Sequence, residues 1–119
     1  MKKGPENPGV IMLVAFLEKA SRKNKAPIWR RVAELVEKAS RKKREVNVYR
    51  LDKHSKEGEM IVVPSKVLGI GALSHKITLA ALGISKPAQA VVEKSGSKIT
   101  SIRALVESNP KGSKVKIII

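Results

Sequence analysis

The sequence predicts a small α/β protein with a basic helical hairpin at its N-terminus. Apolar residues recur every three or four positions up to about residue 40, which is typical of amphipathic helices. Beyond residue 45, short β-branched runs alternate with helical segments, the pattern of crossover units that pack helices on a sheet. The 119 residues carry 25 Lys and Arg against 10 Asp and Glu, a net charge of +15. We therefore expect one domain over 1–119, with a basic helical part over 1–45 and an α/β core over 46–119.

The first helix is predicted to begin at Asn7-Pro8, with Asn7 as the cap and Pro8 in the first helical position. One apolar face follows at helical spacing. Its members are Val10, Leu13, Val14 and Leu17. Residues 1–9 are expected to form a short tail that is unordered without a partner.

Pro27 is predicted to open a second helix after a short link at 24–26, which gives an antiparallel helical hairpin. Trp29 is placed beside the apolar face of this helix. That face comprises Ile28, Val32, Leu35, Val36 and Ala39. The run 40–44 has no apolar residue to bury, so we expect residues 40–45 to be exposed and unordered without a partner.

The elements of the core are predicted from the spacing of apolar residues and from the glycine and proline residues that end helices and strands. A polar loop over Asp52–Gly58 separates the first two strands, Pro64 ends the second of them, and a strand and glycine-bearing turn follow over 66–76. Gly96 is expected to stop a helix in a left-handed conformation. The predicted strands are 46–48, 60–63, 77–82, 98–100 and 115–119, and the predicted later helices are 87–94 and a segment through 102–106 that Asn109-Pro110 breaks.

Composition excludes several classes of protein. The absence of cysteine excludes a disulfide frame, a zinc ribbon and a thiol nucleophile. The longest apolar run, Val10–Leu17, is far shorter than the roughly 20 residues that span a bilayer, so we expect no membrane partner. Nothing marks an export or organelle address, so the cytoplasm is the expected compartment.

Catalysis is not expected. Residues 61–119 hold two acids, Glu93 and Glu107, both on predicted helices, so paired carboxylates for acid–base work are absent there. Ser74 and His75 are neighbours on an extended chain, where side chains point to opposite faces, so His75 is expected to be solvated or RNA-facing.

The Gly69-Ile70-Gly71 element is a weak phosphate-loop signal, because no Gly-Lys-Ser/Thr follows it. A tight turn or a close backbone approach is the favoured interpretation. We therefore predict no enzyme, no metal, no cofactor and no small-molecule substrate.

The charge is concentrated. Residues 19–44 contain eleven Lys and Arg against Glu34 and Glu37, a net +9 in 26 residues. Such a stretch in a chain of this charge predicts nucleic-acid binding. Phe16, Trp29 and Tyr49 are the only aromatic residues, so a broad base-stacking surface is not expected, and this favours folded RNA over a single strand. Trp29 either stacks on RNA or packs between the helices, and packing is favoured. A free-standing DNA-binding or chromatin-like protein stays open as the alternative.

Four segments carry a family resemblance. They are 25–34 (KAPIWRRVAE), 44–48 (REVNV), 62–82 (VVPSKVLGIGALSHKITLAAL) and 109–113 (NPKGS). Together they closely resemble the archaeal and eukaryotic large-subunit ribosomal protein family L eighteen-e, a relative of bacterial large-subunit protein fifteen. One departure is Ser65, where the family pattern leads us to expect glycine in a positive-φ turn.

The resemblance implies a structural protein of the large ribosomal subunit, with an irregular strand–strand–helix core. It also implies two kinds of partner, large-subunit ribosomal RNA and neighbouring ribosomal proteins. The positions that it implies to face RNA are Arg22, Lys23, Lys25, Trp29, Arg30, Arg31, Arg41, Lys42, Lys43, Arg44, Lys66, Gly69, His75 and Lys76.

Overall fold

The computed structural model describes residues 8–119, in which five helices and five strands alternate. The predicted α/β class is confirmed, and the predicted Asn7 cap lies outside the described residues. The helices are α1 (Pro8–Asn24), α2 (Pro27–Lys42), α3 (Val48–His54), α4 (Lys86–Lys94) and α5 (Ile102–Ser108). The strands are β1 (Glu45–Asn47), β2 (Met60–Leu68), β3 (Thr78–Ile84), β4 (Lys98–Ser101) and β5 (Val115–Ile117).

All strand pairs in the sheet are parallel, and β2 is its central strand. One edge of β2 pairs with β3, which in turn pairs with β4. The other edge is shared, because β5 pairs with residues 60–62 and β1 with residues 66–68. A parallel sheet needs cover on both faces, and the helices provide it.

Two apolar clusters fill the space between the sheet and the helices. α1, α2 and α5 pack on one face, where the sheet contributes Val62 and Ala80. α3 and α4 pack on the other face, where Ile61, Val63 and Leu79 point. This alternation along β2 and β3 follows from the two-residue period of a strand.

Pro64 does not end the second strand, contrary to prediction. β2 runs through Pro64 to Leu68, and its register against β3 shifts between Val63 and Lys66. A proline is tolerated in a strand at such a bulge, because the ladder is interrupted there and no backbone N–H is required. Ser65 lies in this bulge, and it is not among the positive-φ residues of the described chain, so the expected left-handed turn is wrong.

One further expectation fails around β1. Residues 40–45 form the end of α2, a left-handed cap at Lys43 and the start of β1, and residues 41–45 are exposed as expected, while their order in the absence of a partner stays a prediction. The first predicted strand stops at Asn47, and Val48–His54 forms the short helix α3 in place of strand and loop. Val48 and Leu51 are both fully buried and lie one helical turn apart, so this short helix packs both side chains against the sheet.

The later helices follow the prediction. Ser85 and Ser101 cap α4 and α5, each accepting a hydrogen bond from a backbone N–H three residues on, at 3.2 and 3.0 Å. Gly96 has a φ of +85°, as expected for the residue that ends the α4 turn.

Candidate nucleic-acid interface

The helical hairpin and its exit carry an exposed layer of positive charge. All eleven cations between residues 19 and 44 are exposed. Arg31 pairs with Glu34 at 3.4 Å and Arg41 with Glu37 at 2.6 Å. Exposed ion pairs of this kind contribute about 0–1 kcal/mol each to the stability of the fold, so both guanidinium groups remain able to bind a phosphate. The other nine cations have no carboxylate within 4.0 Å among residues 8–119.

The exit from α2 brings the hairpin charge to the sheet. Lys43 adopts a φ of 50°, and the backbone N–H of Arg44 donates to the Ala39 carbonyl at 3.0 Å. The chain therefore turns back toward β2, whose Lys66 is exposed between buried neighbours. Lys43, Arg44 and Lys66 consequently line one groove of about 320 Å³, although more than 20 residues separate Lys66 from Arg44 in sequence.

A second groove lies on the other side of Arg44. It has a volume of about 280 Å³ and is bordered by the cations Arg31, Lys38 and Arg44. Lys38 is not among the positions that the family resemblance implies to face RNA. Its place on the same side of α2 as Arg31, seven residues earlier, is the helical-period signal that points to it. Glu45 lines both grooves, and its carboxylate makes no ion pair within the described chain.

The end of the hairpin at which the turn joins α1 to α2 holds a separate cleft. Arg22 near the end of α1 and Arg30 near the start of α2 line it together with Glu18 and Ser21, over a volume of about 270 Å³. Lys23 and Lys25 are exposed beside it, and Lys25 has the positive φ of 51° that turns the chain between the helices. The predicted cations of the hairpin therefore fall into two groups, one at this end and one around Arg44.

Trp29 does not face a partner. Its side chain is fully buried between the helices, and its Nε1 donates a hydrogen bond to the Pro110 carbonyl at 2.7 Å. The packing alternative is confirmed, and the RNA-facing position implied by the resemblance is wrong for this residue.

Gly69 and Gly71 have internal structural roles. A Cβ at Gly69 would lie 2.8 Å from the backbone nitrogen of Ala88 and from the Pro87 Cβ. Gly71 has a φ of +107°, and a Cβ there would lie 2.6 Å from the Cβ of Tyr49. The close-approach interpretation is therefore confirmed, and the groups that come close belong to the starts of α3 and α4.

Replacing Gly71 with alanine is expected to lower the free energy of unfolding by about 1–3 kcal/mol, because the residue is held at a φ that side chains disfavour. Tyr49 blocks its Cβ as well, which places the loss toward the upper end. Urea unfolding measures it. Gly58→Ala is the matched control, since its φ is +82° but no atom lies within 4 Å of its Cβ. Equal losses for the two variants would contradict the close-approach role.

His75 is turned into the protein, contrary to the expectation of a solvated or RNA-facing side chain. The Ser55 hydroxyl donates to the Leu51 carbonyl at 2.5 Å, so His75 Nε2–H donates to Ser55 Oγ at 2.7 Å. His75 Nδ1 lies 3.3 Å from Ser74 Oγ. Ser74 and His75 do contact each other, because they lie in a loop and not in an extended strand.

Asp52 completes this network. It accepts hydrogen bonds from the Ser74 hydroxyl at 2.6 Å and the Ser74 backbone N–H at 2.8 Å. These bonds, with a smaller contribution from nearby His75, hold the pKa of Asp52 below its ordinary value. A depressed carboxyl pKa stabilises the fold above the unfolded-state value, and that stability is lost as the pH falls through the lower folded value. The network ties α3 to the loop, and the buried Ser55 hydroxyl donates its proton to the Leu51 carbonyl.

Lys76 is exposed at the end of this loop. Its backbone N–H donates to Glu57 at 2.6 Å, and its aliphatic stem passes over Gly96, where a Cβ would lie 2.9 Å from Lys76 Cε. Within residues 8–119 no group of three or more His, Cys, Asp and Glu is placed to hold a metal ion. No helix of that part of the chain is long and apolar enough to cross a bilayer.

Comparison with known proteins identifies the family. A family model that describes the 50S ribosomal proteins L15 and L18e and the 60S ribosomal protein L twenty-seven-A matches residues 28–100. Large ribosomal subunit protein eL18 of Methanococcus maripaludis is 43% identical over 112 residues, covering 94% of this chain and 93% of that protein. The eL18 protein of Pyrobaculum aerophilum is 47% identical over 116 residues, covering 98% and 95%. That of Archaeoglobus fulgidus is 39% identical over 113 residues, covering 95% and 97%. The resemblance drawn from the sequence is confirmed, and the chain belongs to this family of large-subunit ribosomal proteins.

Proposed function

We propose that this chain is a structural component of the large ribosomal subunit in the cytoplasm, where it binds and stabilises folded ribosomal RNA through Lys and Arg contacts to phosphates. Its relatives are named as large-subunit ribosomal proteins and not as enzymes. The observation that carries the proposal is the groove shared by Lys43, Arg44 and Lys66. Cations from two distant segments meet there, exposed and without ion-pair partners in the described chain.

The arrangement suits phosphates more than bases. Arg and Lys bind phosphate oxygens as charged donors, and a protein that makes several such contacts releases the counterions condensed on the nucleic acid. The charge groups around Arg22 and around Arg44 lie at opposite ends of α2, so one molecule can neutralise two stretches of RNA backbone at once. Screening in this way lowers the repulsion between packed RNA segments.

The aromatic residues do not form a broad stacking surface. Trp29 is buried, and Phe16 is half-buried with the Arg103 guanidinium 4.4 Å from its ring centroid. Contacts to sugars and phosphates, and the shape of the RNA, are therefore the main contributions to recognition. These contributions favour folded RNA over an extended single strand.

Binding to a folded fragment of large-subunit ribosomal RNA is expected to be steeply salt-dependent. Six phosphate contacts give a slope of about −4 to −5 for the logarithm of the association constant against the logarithm of the salt concentration. Filter binding over a range of KCl concentrations measures this slope. The same protein is expected to co-sediment with large subunits at low salt and to leave them at high salt.

Competition at matched salt separates RNA from DNA. Unlabelled folded RNA is expected to displace the labelled fragment at a lower concentration than duplex DNA with the same number of phosphates. Equal displacement by duplex DNA, or sedimentation free of ribosomes at low salt, would favour the DNA-binding or chromatin-like alternative.

A further inference from the structure

An exposed apolar patch lies apart from the basic grooves. It consists of Tyr49, which is 55% exposed, and Ile70, which is 65% exposed, and it is called here the Tyr49–Ile70 patch. Tyr49 is the one exposed aromatic residue of the described chain. Its hydroxyl makes no hydrogen bond to residues 8–119, so neither the ring nor its polar tip is used by the fold. A backbone hydrogen bond joins Tyr49 to Ile70, so the two exposed side chains are neighbours and form a candidate contact surface.

The backbone beneath the patch is rigid. The N–H of Tyr49 donates to the Ile70 carbonyl at 3.0 Å, which joins the first turn of α3 to the loop. Gly71 packs against the Cα and Cβ of Tyr49, and Gly69 packs against Pro87 at the start of α4. Since the Cβ side of Tyr49 is covered by Gly71, the exposed area of this residue lies on its ring. Because the backbone that carries the ring is held in place, little backbone entropy is lost when a ligand covers the ring.

The charges around the patch are positive. Arg50 is exposed next to Tyr49, and its Nε donates to the Ile119 carbonyl at 2.7 Å, which fixes its position. Lys53 lies one helical turn beyond Tyr49, and Lys86 precedes the proline that packs on Gly69. The nearest acid on the helix, Asp52, is already bound by Ser74. An aromatic ring bordered by Arg and Lys is complementary to a nucleotide, which combines a π-face with a phosphate.

We propose that the Tyr49–Ile70 patch is a stacking platform for one unstacked base of the bound RNA. Tyr49 provides the ring, Ile70 covers an edge of the base, and Arg50 and Lys86 take the flanking phosphates. The site rests on the proposed function and deepens it, because it adds contact to a base from a bulge or loop to the backbone contacts of the basic grooves. Stacking tolerates any base, since every base has a π-face, so the site would hold an exposed nucleotide by shape and not by its hydrogen-bonding edge.

Replacement of Tyr49 tests the platform. Wild-type affinity for the RNA fragment is measured first, so that failure of the proposed function is seen independently. Tyr49→Ala is expected to weaken binding by about 5- to 150-fold, the range found when a base–aromatic stack is removed. Its salt slope is expected to match that of the wild type, because no phosphate contact is removed. Tyr49→Phe, which keeps the ring, is expected to bind within about twofold of the wild type.

Two comparisons complete the experiment. Met12→Ala removes a side chain that is 63% exposed on α1 and is expected to leave affinity unchanged. Thermal unfolding of each variant shows whether α3 is intact, and ultraviolet crosslinking of the wild-type complex is expected to attach RNA to the peptide that contains Tyr49. Full RNA affinity of Tyr49→Ala would overturn the proposal, as would an equal loss in Tyr49→Phe. Weakened subunit association with unchanged RNA affinity would also overturn it and would assign the patch to a protein neighbour.

Discussion

Replacing Trp29 with alanine is expected to lower the free energy of unfolding by about 3–5 kcal/mol. The indole is fully buried between α1, α2 and the turn after α5, and the change would leave a cavity there. It would also remove the hydrogen bond from Nε1 to the Pro110 carbonyl, a bond that joins residues 81 positions apart. Domains of this size have total stabilities of about 5–15 kcal/mol, so the variant would be marginal. Urea unfolding followed by circular dichroism measures the loss.

Trp29→Phe separates the two contributions. Phenylalanine keeps much of the buried apolar surface but removes the donor to the Pro110 carbonyl, at a cost of about 0.5–1.5 kcal/mol, because Pro110 is exposed and water can replace the lost donor. We expect the order of stability to be wild type, Trp29→Phe, Trp29→Ala. Unchanged stability with weakened RNA binding in both variants would contradict the packing role and return Trp29 to the interface.

Reversing Arg44 and Lys66 together to glutamate is expected to weaken RNA binding by about 20-fold at 0.15 M salt. Each lost phosphate contact removes about 0.8 from the salt slope, which corresponds to roughly fivefold between 0.15 M and 1 M salt. The slope is therefore expected to become shallower by about 1.6. These two residues are chosen because they line the same groove and neither forms an ion pair within the described chain. Arg41, which pairs with Glu37, is a less direct choice.

A variant with the same change in net charge provides the control. Lys94 at the end of α4 and Lys98 at the start of β4 are both exposed, and neither lines the grooves around Arg44. Lys94→Glu with Lys98→Glu is expected to change the slope by less than half as much as the groove pair. An equal effect of the two pairs would show that net charge alone governs binding, and it would remove the groove as a defined contact. Both double variants are expected to unfold at the wild-type urea concentration.

Local patterns in the sequence are sufficient to predict the two long helices of the hairpin and the alternation of strands and helices in the α/β core. Pro27 begins α2 as predicted. The caps at Ser85 and Ser101, which the sequence analysis did not single out, follow the same kind of local rule, because they depend on residues only a few positions apart. The basic run Arg41–Arg44 is exposed as expected, since charged side chains are rarely buried. The grouping of Arg44 with Lys66 depends on the turn at Lys43 and on the register of β1 and β2, which no local pattern reveals.

The failures share a cause, which is tertiary context that overrides a local rule. Pro64 lies inside a strand because a bulge removes the need for its N–H, and Val48 starts a helix because one turn is enough to cover the sheet. The family resemblance implies that Trp29 faces RNA, whereas the described fold buries it completely and provides the acceptor for its indole N–H from a distant turn. His75 is oriented by Ser55 and Ser74, two serines from different segments.

The position of β5 has a consequence for vectorial synthesis on the ribosome. Residues 60–62 of the central strand β2 pair with β3 on one edge, but their other edge lacks a neighbour until residues 115–117 have been made. The Trp29 indole likewise lacks its acceptor until Pro110 has been made. The helical hairpin, although translated first, therefore cannot reach its final packing co-translationally. During that interval the nascent chain exposes its basic segment beside an incomplete core, because the contacts between residues far apart in sequence have still to form. A polyanion that binds this segment early would hold the chain in solution while the last strand is added.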